Sequence, residues 1–183
     1  MSRPVQHEVA SDLRFPIGRY QPVSEINAAV REEWIRELES LPQNLRNAVG
    51  GLSEIQLDTP YRPGGWTVRQ VVHHLPDSHM NSYVRFRLAI TEDTPPVKTY
   101  AEEKWAELPD AREAPIDGSL LLLDGLHRRF VSLLRSLTDE DFARTFRHPE
   151  LGEIRLDWTL GLYAWHSRHH VAHITTLRVR ENW

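Results

Sequence analysis

Four of the ten histidines in this 183-residue chain lie within eight consecutive positions near the C-terminus. They are His166, His169, His170 and His173, in the stretch YAWHSRHHVAHI. On an α-helix, positions 166, 170 and 173 fall within about 60° of one another, and the fourth lies on the flank of the same arc. Leu162 and Leu177 share this face, so we expect imidazoles in an apolar groove, where burial is costly unless a partner satisfies them. A divalent metal ion would be such a partner.

A second element must supply a further ligand, because one helix offers two histidines comfortably through an i, i+4 spacing of about 6 Å. The stretch VVHHLPDSH contains His73 and His74, which point about 100° apart on a helix. We expect His74 to face the core and His73 to lie outward or at the edge. Asp77 follows on nearly the same side as His74 and is a candidate base or hydrogen-bond partner of a ligand. The other lone histidines, expected to be solvated or locally capped, are His7, His79, His127 and His148.

The amino-acid composition excludes several kinds of partner and metal ligand. With 40% hydrophobic and 26% charged residues, the chain can form one substantial core. A net charge of -4 offers no basic stripe, so we expect neither nucleic acid nor a membrane surface as a partner, and a small-molecule substrate instead. The lack of cysteine excludes disulfides and thiolate metal ligands. No apolar leader or spanning run is visible, which predicts a cytoplasmic protein.

The spacing of apolar residues predicts four long helices that position these side chains. The first begins at Ser24 as N-cap, the second at a Thr67–Gln70 capping box, and the fourth at Asp157 as N-cap. The predicted spans are 24–50, 67–91, 119–137 and 157–180. Between the second and third helices lies a Pro-rich crossover with a short helix around 102–108, and alternation around 149–152 predicts a small β-hairpin.

These elements predict an all-α four-helix bundle, in which polar sites are built inward from facing helices. Residues 1–23 are expected to form an extended N-terminal arm. Residues 24–183 are expected to form the single domain.

Two stretches, PYRPGGWTVRQVVHHLPDSHMNSYVRFRLAITEDTP and GLYAWHSRHHVAHI, resemble the YfiT-type branch of the DinB-like superfamily, and FPIGRYQP near the N-terminus fits as well. The resemblance covers nearly the whole chain. It implies a DinB-like four-helix bundle, a homodimer, and zinc or nickel held by three histidines. Carried over by motif, the ligands are His74, His166 and His170. The superfamily usually has Gln where this chain has His173, which implies that His173 supports a ligand rather than binds the ion.

Pro76 departs from the family pattern. A proline has no backbone N–H, so the carbonyl of Val72 loses its helical partner. We therefore expect a kink in the second helix beside His74.

Three neutral imidazoles leave an ion with its full charge and open positions, which is typical of a catalytic site. Zinc is the expected ion from ligand type, with nickel as an alternative. Water activated there would hydrolyse an ester or amide; alternatively, a low-molecular-weight thiol would become the nucleophile in a transfer reaction. The resemblance implies both, because members are labelled metal-dependent hydrolases and relatives use bacillithiol or mycothiol.

Mechanism slightly favours thiol transfer, since Asp77 is the only strong acid candidate in the motif and a hydrolase must protonate its leaving group. A third hypothesis is a non-catalytic bundle, in which the ion only fastens the second helix to the fourth or is sensed there.

Overall fold

The computed structural model describes residues 12–183; His7 and the first part of the predicted arm lie outside the described residues. Four long helices dominate, with short helices and one two-stranded antiparallel sheet between them. The elements are α1 (Ala28–Val49), α2 (Glu54–Leu57), α3 (Val68–Thr91), α4 (Glu102–Trp105), α5 (Pro109–Glu113), α6 (Asp117–Ser136), α7 (Asp139–Ala143), β1 (Thr145–His148), β2 (Gly152–Arg155) and α8 (Leu156–Glu181). Within the described part of the chain, no helix has the length and apolarity that crossing a bilayer requires.

Of the three predicted N-caps one is correct and two are shifted, and the third long helix, predicted from residue 119, begins at Asp117. At α3, the Thr67 hydroxyl accepts from the Gln70 N–H and the Gln70 side chain accepts from the Thr67 N–H, as the capping box predicts. At α1 the cap is Asn27 rather than Ser24, because the Asn27 side chain accepts from the Val30 N–H at 3.0 Å. At α8 the predicted cap Asp157 lies inside the first turn, where its carboxylate binds Arg155 at 2.6 Å.

The crossover and the hairpin follow the prediction in outline. Two one-turn helices, α4 and α5, occupy the crossover where one short helix was expected. Strands β1 and β2 pair in antiparallel register with Phe146 opposite Ile154, and the turn between them, at residues 149–151, lies within the predicted 149–152, while Gly152 begins β2. Helix α3 continues through Pro76 as far as Thr91, so the proline does not interrupt the helix beside His74.

The core consists of two apolar clusters at opposite ends of the bundle. One contains Leu38, Phe86, Phe130 and Leu160, and the other contains Leu41, Leu75, Leu123 and Ile174. On each long helix, the residues of one cluster are separated along the sequence from those of the other. In α3, α6 and α8, the intervening positions carry histidines, so a polar layer crosses the middle of the bundle.

Gly161 of α8 lies directly against the side chain of Trp34 in α1. A Cβ placed on Gly161 would stand 2.8 Å from Cη2 of buried Trp34, so no side chain fits there without movement of the indole ring. We expect Gly161→Val to lower the free energy of unfolding by about 1–3 kcal/mol, measured by urea denaturation. Exposed Gly125 in α6 is the control, because a Cβ there meets nothing within 4 Å and Gly125→Ala should stabilise the helix by about 0.5–1 kcal/mol. A Gly161→Val protein as stable as the wild type would contradict this packing.

Candidate metal centre

His74 of α3 and His166 and His170 of α8 converge in the polar layer. Each offers a ring nitrogen, and the three nitrogens lie within 4.8 Å of one another. The Nε2 atoms of His74 and His166 are 3.3 Å apart. Two nitrogens that bind one tetrahedral zinc ion at about 2.0–2.1 Å stand about 3.3–3.4 Å from each other, so this separation fits a shared ion.

The surroundings of the triad also fit a cation. The Nδ1 atom of His170 is buried and has no hydrogen-bond partner among residues 12–183. Trp66, on the loop before α3, covers one side with its ring centroid 4.8 Å from that of His74. A divalent ion bound through Nδ1 of His170 would satisfy a buried nitrogen that the described part of the protein leaves without a partner.

The electrostatics keep the triad neutral at physiological pH. Burial, with a smaller contribution from His173, lowers the pKa of His74 to about 4. Burial, followed by the neighbouring imidazoles, holds the pKa values of His166 and His170 well below their usual range. The neutral imidazole is the form that binds metal, so the site is in its ligating state without a change of protonation.

His73 does not lie outward, contrary to the prediction. It is buried, with Nδ1 2.7 Å from the Ser119 hydroxyl and Nε2 3.2 Å from the Ala114 carbonyl. The reason is that the crossover and the start of α6 cover this side of α3. Sequence spacing gave the direction of His73 on the helix correctly but could not show what packs there.

His169 and His173 line the cavity beside the triad without joining it. The His169 ring stacks on Trp165 at 4.4 Å. The His173 ring stacks on Tyr61 at 3.9 Å, and its Nε2–H donates to the Arg14 carbonyl at 3.2 Å. His173 therefore attaches the N-terminal arm to α8, and the support of a ligand expected of it stays a prediction.

Asp77 lies away from the mouth of the site. It is half-buried, and burial together with Asp110 raises its pKa to about 6. It lines neither of the two cavities that adjoin the triad. A role as base or as partner of a ligand stays a prediction, and the geometry places other carboxylates closer to the open side.

Two cavities meet at His166. One, of about 620 Å³, opens on all three triad histidines and is walled by Tyr61, Trp66 and Trp165. The other, of about 530 Å³, is lined by His166 together with Tyr100 and Tyr163. Both are also lined by two carboxylates from α4, Glu102 and Glu103.

Sequence reasoning missed Glu102 as a functional candidate. Partial burial, and then the charge of Glu103, raises its pKa above the ordinary value for a glutamate. A carboxyl group with a raised pKa at the edge of a candidate metal site is suited to proton transfer. The sequence predicted only a short helix in a long crossover, and nothing in it indicated that two carboxylates of this helix would line the cavities beside the triad.

Two of the histidines expected to be solvated or capped are instead part of the polar layer. His79 is fully buried and His127 is 2% exposed, and they are hydrogen-bonded to each other. His148 does follow the expectation, because its Nδ1 accepts from the N–H groups of Glu150 and Leu151 in the hairpin turn.

The sequence profile of the DinB superfamily matches residues 37–174. The chain belongs to the DinB superfamily. Curated relatives from Bacillus mycoides (strain KBAB4) and Bacillus cereus (strain B4264), both named "Putative metal-dependent hydrolase", are 59% and 58% identical, each over 94% of this chain and 99% of the relative.

Solved structures support the DinB fold. YfiT from Bacillus subtilis, described as "a probable metal-dependent hydrolase with an unusual four-helix bundle topology", is 53% identical with a TM-score of 0.91, over 93% of this chain and 98% of its own. The four-helix bundle protein TT2238 shares the fold at a TM-score of 0.53 and 20% identity, over 84% of this chain and 99% of its own. The predicted family, bundle and hairpin are thereby confirmed for this DinB-superfamily chain.

Proposed function

We propose that this protein is a divalent-metal-dependent hydrolase of small molecules, with the ion held by His74, His166 and His170. The convergence of three neutral imidazoles beside an open cavity carries this proposal. A purely structural or sensing ion needs no cavity above it, whereas a catalytic ion keeps an open position. Zinc as the native ion, the homodimer and the cytoplasmic location stay predictions.

An ion at this site would polarise a carbonyl or related group and favour ionisation of water near neutral pH. Glu102 would take the proton from the attacking water and return it to the leaving group, a role favoured by partial burial and the charge of Glu103, which raise its pKa above the ordinary value for a glutamate. The aromatic walls formed by Tyr61, Trp66 and Trp165 would hold the substrate and limit bulk water. Glu102 thus removes the main objection to hydrolysis, the lack of a suitable acid.

Thiol transfer is the second candidate, favoured by the two cavities that meet at His166. A transferase binds two substrates, and the cavities of about 620 and 530 Å³ provide separate space for each. Because the chain has no cysteine, the sulfur nucleophile would come from a small-molecule thiol. The thiol proton would pass to Glu102 as sulfur bonds to carbon and displaces a leaving group such as halide.

Turnover with and without added thiol separates the two reactions. As a hydrolase, the zinc-loaded protein should cleave a chromogenic ester or amide without thiol, and Glu102→Gln should lower the rate by about 10²–10⁴-fold. Glu103→Gln is the matched control, because it removes an adjacent carboxylate whose loss should have a much smaller effect. Conjugation of a haloalkane or a bimane dye that requires cysteine or a related thiol, with no thiol-independent cleavage, would reject the hydrolase in favour of the transferase.

A further inference from the structure

A chain of hydrogen bonds crosses the polar layer and links all four long helices. Nδ1 of His166 in α8 is 3.3 Å from Nε2 of His79 in α3. Nδ1 of His79 is 3.0 Å from Nε2 of His127 in α6. Nδ1 of His127 is 2.6 Å from the carbonyl oxygen of Leu38 in α1. His79, His127 and Leu38 are almost fully buried.

The Leu38 carbonyl, at the end of this chain of hydrogen bonds, is free to accept from His127 because of a proline in α1. In an α-helix the carbonyl of Leu38 would accept from the N–H of residue 42, but that residue is Pro42, which has no N–H. The imidazole of His127 takes the place of the missing donor. A helix-breaking residue inside α1 and a buried histidine in α6 therefore compensate for each other.

The Leu38 carbonyl determines which ring nitrogen carries the proton in each of the three histidines. It can only accept, so Nδ1 of His127 must carry a proton and, in the neutral ring, Nε2 must accept. Nδ1 of His79 must then donate and its Nε2 accept, so Nδ1 of His166 donates in turn. The remaining nitrogen of His166, Nε2, is left with a free lone pair, and it is the atom that faces His74 at 3.3 Å.

We propose that His79 and His127 are positioning residues, which hold His166 in the tautomer that presents Nε2 to the metal. This inference rests on the proposed metal site but concerns residues outside the triad. Partners of ligating histidines commonly act in this way, by fixing the tautomer and the orientation of the ring and by making the ligand more basic. Here the chain of hydrogen bonds extends this control to the Leu38 carbonyl in α1.

Neutral imidazoles are required at every step, and the surroundings favour them. Burial lowers the pKa of His127 to about 4, and burial followed by His127 and His166 keeps the pKa of His79 well below its usual range. No carboxylate interrupts the chain of hydrogen bonds described above.

The first test is nuclear magnetic resonance of the metal-free full-length protein at a pH above 7. Long-range ¹H–¹⁵N spectra distinguish protonated from unprotonated ring nitrogens. We expect His79, His127 and His166 all to carry the proton on Nδ1. A proton on Nε2 of His166 in the wild type would overturn the inference.

The second test compares two replacements of His127 by zinc affinity, measured in competition with a chelator. His127→Phe removes the acceptor for His79, which frees His166 to protonate Nε2, so affinity should fall by about 10–100-fold. His127→Gln keeps one donor and one acceptor and should restore most of the affinity and the Nδ1 tautomer of His166. Phe130→Leu, a core change one turn further along α6, is the control for lost stability and should leave zinc affinity unchanged.

Equal affinity for wild type and His127→Phe, or equal losses in His127→Phe and His127→Gln, would reject the positioning role. If His127→Phe does not fold, the wild-type spectrum and the Gln variant still decide the matter. A wild-type protein with the expected tautomers that binds no zinc would instead reject the proposed metal function and leave the tautomer assignment standing.

Discussion

His170→Ala is expected to abolish stoichiometric zinc binding while the protein stays folded. Removing one of three ligands should reduce affinity by more than the 10–100-fold expected when a partner of a ligand is lost. The apo protein should tolerate the change, because the buried Nδ1 of His170 has no hydrogen-bond partner in the described part of the chain to lose. The same loss of metal is expected for His74→Ala and His166→Ala.

Metal content and zinc-dependent stability measure this effect independently of any substrate. A ligand at 1,000 times its dissociation constant stabilises the state that binds it by about 4.1 kcal/mol. Zinc should therefore raise the free energy of unfolding of the wild type by about that amount and leave His170→Ala unchanged.

His169→Ala is the matched control, since His169 is adjacent in sequence and lines the same cavity but lies outside the triad. Zinc bound at full stoichiometry by His170→Ala, or lost in His169→Ala, would mean that the triad is wrongly assigned.

The sequence was informative where one helix determines the arrangement. The four histidines of α8 and the inward direction of His74 follow from helical geometry alone, since each turn of a helix fixes which side chains share a face. The same reasoning predicted the capping box at Thr67, which is a contact between residues three apart. The family resemblance then narrowed the histidines to one triad.

The sequence was uninformative where the arrangement of side chains depends on how different helices are positioned along the axis of the bundle. His79, His127 and Pro42 are single residues on three helices, and nothing local connects them. They meet because the three helices align at the polar layer. In hindsight the signal was present in part, because a proline inside α1 implied a free carbonyl that some buried donor would have to satisfy.

The path of the crossover was the second feature that could not be predicted from the sequence. Glu102 lies on a one-turn helix that follows Pro-rich coil, and no periodic pattern indicates where such a segment packs. Asp77 was preferred for its spacing from His74, which is a local criterion, whereas the cavities are lined by carboxylates distant in sequence. Non-local packing therefore decides which acid is available for catalysis.

Acidification is expected to destabilise the metal-free protein strongly between pH 6.5 and pH 4. The folded state holds the pKa values of His74 and His127 at about 4, below the ordinary value of 6.5 to which they return on unfolding. In this range the unfolded chain binds more protons than the folded one, so stability is complete above the unfolded pKa and is lost as pH falls. Each of these two groups should contribute a loss of about 2 kcal/mol by pH 5, at about 1.36 kcal/mol per pKa unit.

These two groups alone account for a loss of about 4 kcal/mol, which is a large part of the 5–15 kcal/mol typical of folded domains, and the other buried histidines with a lowered pKa, such as His169 and His173 at about 4, add to it. Urea denaturation of the chelator-treated protein at several pH values measures it. His127→Gln should reduce the loss between pH 7 and pH 5 by about 2 kcal/mol, because it removes one of the buried histidines and introduces no group that titrates. Stability that stays constant from pH 7 to pH 5 in the wild type would show that the buried histidines are not held neutral, which would also remove the basis for a preformed metal site.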